Sequence, residues 1–246
     1  MATTDGPVAG KSVSIRSEVS ERLWVLIVAG IPTGVLVAGL GSRLAMLVLG
    51  LTSPDSVVGV TSDDGFEIGR FTLGGTYNLL MLGAVVGVIG AAAYRAVQPW
   101  LLGPNWFRRL TVAAGSGAVV GSMLIHADGI DFRVLKPTWL AVGLFVALPA
   151  LFGAVLGVVV DRVSAIAVPP GWRRWGLPTV LVAAFPLAIV VVGIVAAALV
   201  VWVPVRRRLD STGGLPKPAG LGVRAVWLLI ALAGLAALVG DVRALT

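Results

Sequence analysis

The stretch from Leu23 to Leu51 reads LWVLIVAGIPTGVLVAGLGSRLAMLVLGL, and within it only Arg43 carries a charge. As one α-helix these 29 residues would extend about 43 Å, more than a hydrocarbon core of about 30 Å requires. A soluble domain could not hide several such near-uncharged runs without exposing large apolar surface, so lipid is the solvent that decides this fold.

Working outward, the first span runs from Leu23 to Leu40 or on to Leu51, and further apolar runs predict spans at Leu73–Ala93, Leu110–Ile125, Trp139–Val160, Leu177–Val203 and Ala225–Gly240. The expected fold is an all-α polytopic bundle of about six spans: a polar cytoplasmic segment, 1–21, followed by one transmembrane domain, 22–246. The apolar run after residue 21 is longer than a usual signal core and has no small-x-small cleavage site behind it, which predicts an uncleaved first span. The third and sixth runs are short for a bilayer, whereas the fifth is long and holds Pro178 and Pro186, predicting tilt or a kink at Pro186.

Composition agrees. Hydrophobic residues make up 57% and charged residues 13%, against about 25% charged in soluble domains. The formal charge of +7 is spread over short loops between apolar runs, which points to anionic lipid headgroups and excludes a nucleic-acid-binding face. With no cysteine, disulfides, thiolate metal sites and cysteine nucleophiles are excluded. Arginine dominates over lysine, which occurs only at Lys11, Lys136 and Lys217, and Ala, Gly and Val abound. That bias is typical of GC-rich bacterial genes and places the chain in a bacterial cytoplasmic membrane.

Positive loops are retained in the cytoplasm. Lys11, Arg16 and Arg22, then Arg95, Arg108 and Arg109, then Arg162, Arg173 and Arg174, mark one side as cytoplasmic and set the N terminus there. The acidic loops fall opposite. Six spans then strand Arg206, Arg207, Arg208, Lys217 and Arg224 outside, a conflict that five spans would repair. All eight tryptophans, from Trp24 to Trp227, lie near predicted span ends and suggest interfacial belts.

Two patterns bear on packing. Gly-x-x-x-Gly pairs at Gly30/Gly34, Gly83/Gly87, Gly117/Gly121 and Gly153/Gly157 permit close helix approach. GAVVGV at 83–88 is echoed by GAVLGV at 153–158, which suggests two helical hairpins related as a parallel repeat.

Residues able to carry chemistry gather on the acidic side. Around Asp63-Asp64-Gly65 the alternation of Val58 and Val60 before the turn with Phe66, Ile68 and Arg70 after it predicts a short β-hairpin flap. Arg43 is followed by eight apolar residues, so it either snorkels to headgroups or meets a partner among Asp63, Asp64, Glu67, Asp128 and Asp131. The candidate ligand site or charge network is therefore Arg43, Asp63, Asp64, Glu67, Arg70, His126, Asp128 and Asp131. His126, Asp128 and Asp131 are the candidate metal ligands, although their spacing matches no specific signature, and no cofactor is assigned. Ser122, one turn before His126, would permit a hydrolase dyad, against the commoner bond of a helical serine to its own backbone. Gly115-Ser116-Gly117 lies about 15 Å from His126 along one helix and cannot pair with it.

The segments GSRLA (41–45), TSDDGF (61–66) and GRFTLGGT (69–76) resemble uncharacterised multi-pass membrane proteins of GC-rich, actinobacterial-type bacteria, over roughly the first 80 residues. The resemblance implies a polytopic membrane protein and no activity, substrate or cofactor. Two functions are open on the residues alone. One is a transporter-like or solute-binding protein with a charged extracytoplasmic site. The other is a non-catalytic scaffold whose glycine faces pack against other membrane proteins or a second copy, and a membrane hydrolase stands behind both.

Overall fold

The computed structural model describes residues 14–57, 59–60, 72–126, 132, 134–171, 173–211 and 217–245. Among these, all regular structure is helical: α1 (Ile15–Thr52), α2 (Leu73–Val97), α3 (Asn105–Leu124), α4 (Thr138–Ala165), α5 (Arg173–Ala184), α6 (Leu187–Ser211) and α7 (Lys217–Leu245). Five helical stretches are long and apolar enough to cross a membrane: Ile15–Thr52, Leu73–Trp100, Thr138–Ala165, Leu187–Leu209 and Arg224–Leu245. The expected β-hairpin falls mostly at 61–71, outside the described residues, and no strand occurs among those described.

The first apolar run continues to Thr52 as a single 38-residue helix, so the longer of the two expected boundaries holds. Ser14 caps its start, its Oγ accepting from the Ser17 N–H at 3.2 Å. A π-helical turn, Gly34–Leu40, interrupts it for a packing reason. Gly30 and Gly34 are four residues apart, whereas Gly34 and Gly39 are five apart, and all three face α2. One wider turn keeps the third glycine on the same face. A Cβ on Gly30 would strike the Gly87 carbonyl, one on Gly34 the Gly83 carbonyl, and one on Gly39 the backbone at Leu79 and Leu80. Glycine faces of this kind let helix backbones pack directly on one another.

These contacts make α1 and α2 antiparallel. α3 and α4 form a second antiparallel pair, in which Gly117 sits on Val146 and Ala150, and Gly153 on Val112 and Ser116. The echoed Gly83 and Gly153 thus do the same work, each receiving the preceding helix of its own hairpin. α4 runs parallel to α2, with Gly90 on Phe152 and Leu156, and Gly157 on Tyr94. α7 runs parallel to α3, where Gly234 meets Val119 and Leu238 approaches Gly121.

The fifth predicted span is not one helix. α5 and α6 are separated at Phe185-Pro186, and the chain reverses there. An α-helix would bond the Val182 carbonyl to the N–H of residue 186, but proline has none, and the carbonyl accepts from Phe185 N at 3.2 Å instead. α5 begins where Arg174 donates to Ser20 Oγ and lies 3.8 Å from Glu21, near the start of α1. α6 finishes beside the same turn of α1, with Arg207 bound to Glu18 at 2.7 Å. Both ends of the hairpin therefore share one end of the bundle, termed here the basic end.

Three apolar clusters fill the interior. Trp24, Ala29, Tyr94, Leu156 and Val160 pack towards the basic end. Ile27, Ile31, Ala84, Val88 and Ala188 seat the α5–α6 turn on α1 and α2. Leu49, Val57, Ile125, Phe132 and Leu135 close the opposite end, where Ser53 Oγ accepts from Lys136 N at 2.9 Å. Trp24, 6% exposed, is a core residue and not part of an interfacial belt, whereas Trp106, Trp139 and Trp202 are exposed near helix ends as expected.

Candidate functional site

Of the residues expected to form a charged site opposite the basic end, the structure describes two. Arg43 lies within α1 and is 3% exposed, so its guanidinium sits inside the protein and does not snorkel along a lipid face. His126 is exposed just past the end of α3, while its neighbour Ile125 is fully buried in the apolar plug. Asp63, Asp64, Glu67, Arg70, Asp128 and Asp131 lie outside the described residues, and among those described no cluster of histidine and carboxylates could hold a metal ion. Ser122 Oγ donates to the Val119 carbonyl at 2.8 Å and Ser116 Oγ to the Val112 carbonyl at 2.7 Å, the backbone bonds usual for helical serines.

What the fold does assemble is an apolar cavity of about 920 Å³ between α2 on one side and α3 with α7 on the other, floored by α4. It exists because α2 and α3, although consecutive, diverge: α2 packs on α1, α3 on α4 and α7. Leu148 and Phe152 form the floor, and Ile89, Phe107 and Trp227 the walls. Gly115 borders it with nothing within 4 Å of an added Cβ, so the space begins at the α3 backbone itself. Val86, Ile89, Val120 and Leu228 are exposed on its rims, so the cavity is a groove open on the flank of the bundle. Along α3 it runs from Phe107 to Leu124, about 25 Å at about 1.5 Å per residue, close to the thickness of a hydrocarbon core.

Its two ends differ. At the end away from the basic loops it meets Ser42, Leu49 and Leu124. At the basic end stand Tyr94 and Arg224. The Tyr94 hydroxyl donates to Asp161 Oδ1 at 2.9 Å, Gln98 Nε2 donates to the same oxygen at 3.0 Å, and Arg109 lies 3.8 Å from Oδ2. Arg95 in turn donates to Gln98 Oε1 at 3.0 Å. Asp161 thereby ties together α2, α3 and α4 around the groove mouth. A second network, Glu18 with Arg22 and Arg207, ties α6 to α1.

Tyr94, Gln98 and Asp161 were not among the residues singled out from sequence. Asp161 sits directly before Arg162 in a loop read only for its arginines, and its position there was the one signal available. The chain matches no known family model, no characterised protein and no solved structure.

Proposed function

We propose that this chain is a multi-pass protein of a bacterial cytoplasmic membrane that binds a lipid-like molecule in the groove between α2 and α3–α7, as a transporter-like binding protein and not an enzyme. The observation that carries the reading is the groove itself: a cavity at the upper end of the size of ordinary ligand pockets, apolar along its length, and open where bilayer lipid would lie. Specific pockets usually place a few polar groups on an apolar wall, and here Arg224 and the Tyr94 hydroxyl stand together at one mouth.

The proposed topology has five crossings, α1, α2, α3, α4 and α7, with α5–α6 as a re-entrant hairpin. α3 is less apolar than the others, yet it lies antiparallel along α4 from Val112–Gly153 to Gly117–Val146 and so shares its depth. α5, at 12 residues or about 18 Å, is too short to cross a core of about 30 Å. α6, although long enough to cross, returns from the turn it shares with α5 to the basic end, where Arg207 meets Glu18. This arrangement returns Arg206, Arg207, Arg208, Lys217 and Arg224 to the side of the other basic loops, which removes the charge conflict of the six-span reading. The N terminus is then cytoplasmic and the end of α7 extracytoplasmic.

Photo-crosslinking with a diazirine-bearing fatty acid in membranes tests the groove. Labelled peptides should come from α2 and α3, and Gly115→Phe, which fills the groove from an uncrowded position, should abolish their labelling. Gly193→Phe on α6, equally uncrowded, should leave it intact. Equal labelling of all lipid-facing helices, unchanged by Gly115→Phe, would remove the basis for a binding function. A scaffold protein would instead place a partner's helix in the groove and copurify with it in fixed ratio.

A further inference from the structure

The groove is apolar along its walls but not symmetric, and its asymmetry specifies more than an apolar guest. Among the described residues that line it, Arg224 alone bears a charge, and it stands at the basic end. Among the described residues, its buried Nε has no hydrogen-bond partner. Arg108 Nε and Arg109 Nε are in the same state; Arg109 leans to Asp161, whereas Arg108 stands one turn of α3 before Val112, which lines the groove. A buried N–H of a charged group left without an acceptor is costly, and such groups in native proteins call for an explanation.

Among the described residues, the nearby carboxylates do not supply one. Glu18 is engaged by Arg22 and Arg207, Glu21 by Arg174, and Asp161 accepts from Tyr94 and Gln98 with Arg109 beside it. The mouth of the groove is therefore rich in guanidinium donors, while Glu18, Glu21 and Asp161 already serve other partners. Tyr94 and the indoles of Trp100 and Trp227 extend the polar rim, while beyond them the described walls offer only small hydroxyls, at Thr111, Ser116 and Ser42.

Resting on the groove-binding reading above, we infer that the ligand is an anionic amphiphile: a membrane lipid with a phosphate-bearing, net negative headgroup at Arg224 and Arg108 and its hydrocarbon chain along Phe107, Phe152 and Leu148. Three features select this class. The apolar length requires a chain, the single basic mouth requires one anionic end, and planar guanidinium forks suit phosphate oxygens. The position of the mouth among the basic loops places the headgroup at the cytoplasmic leaflet, where anionic lipids and basic segments attract each other.

The test is native mass spectrometry of the full chain released from nanodiscs containing equal amounts of phosphatidylglycerol and phosphatidylethanolamine. Retained phosphatidylglycerol should exceed phosphatidylethanolamine by about tenfold: both carry the phosphate that the guanidinium forks bind, but only phosphatidylethanolamine brings an ammonium into the arginine-rich mouth, where like charges repel. The double variant Arg108→Gln/Arg224→Gln should bring the two lipids to parity without loss of total retained lipid, and Gly115→Phe should lose both. Should the arginine variant fail to fold, the wild-type ratio measured at low and high salt decides alone, since a headgroup ion pair at the mouth weakens as salt rises. Equal retention of the two lipids by the wild type, still abolished by Gly115→Phe, overturns the anionic-headgroup inference and leaves the groove reading standing. Retention that Gly115→Phe does not alter overturns both.

Discussion

At Gly34 the backbones of α1 and α2 come so close that any Cβ would meet the Gly83 carbonyl oxygen, and backbone cannot swing aside as a side chain can. Gly34→Leu should therefore lower stability by about 3 kcal/mol or more, read as thermal unfolding in detergent, while Gly193→Leu should change it little because nothing surrounds that position. A small effect at Gly34 would mean that the helices do not touch there. Tyr94→Phe should cost about 0.5–1 kcal/mol, since it removes one interhelical hydrogen bond of a kind that averages little inside membranes. Glycine spacing was readable in the sequence because it is local and periodic. The Asp161 network was not, because its partners lie 63 and 67 residues away and only the folded bundle brings them within 3 Å. Arg43 was legible as an unusual residue inside an apolar run, and its burial follows from the helix continuing past it.

Among the elements, α5–α6 departs most from expectation. Pro186 was visible as a source of bending, but whether a proline kinks a helix or ends it depends on what receives the two arms. Here Ala188 and Phe185 lodge against Ile31 and Val35 of α1, and both distant ends are held at the basic end by Arg174 and Arg207. The chain contains no cysteine, so single cysteines report topology without background. Ser211→Cys, at the end of α6, should react with a membrane-impermeant maleimide only after cells are permeabilised, and Ala244→Cys, near the end of α7, in intact cells. The reverse pattern would restore the six-span arrangement and leave the arginines at 206–208 outside. α1, by contrast, followed from hydropathy: no charge cluster interrupts residues 23–51, and Pro32 and the wider turn after it are accommodated without ending the helix.

Taken whole, the bundle is two glycine-packed hairpins, α1–α2 and α3–α4, flanked by the α5–α6 hairpin on one side and α7 on the other. Packing each of α2 and α3 on its own partner leaves the groove between them, so the cavity is a consequence of the architecture and not of any one motif. No sequence pattern announces it, because its walls are ordinary apolar residues whose facing is set only by helix placement. The most direct measurement is a density map of the chain in nanodiscs made from bacterial lipid. It should show an elongated non-protein feature between Ile89 of α2 and Gly115 of α3, running up from Arg224. A groove closed by direct contact of α2 with α3, or filled by the helix of another protein, would contradict it.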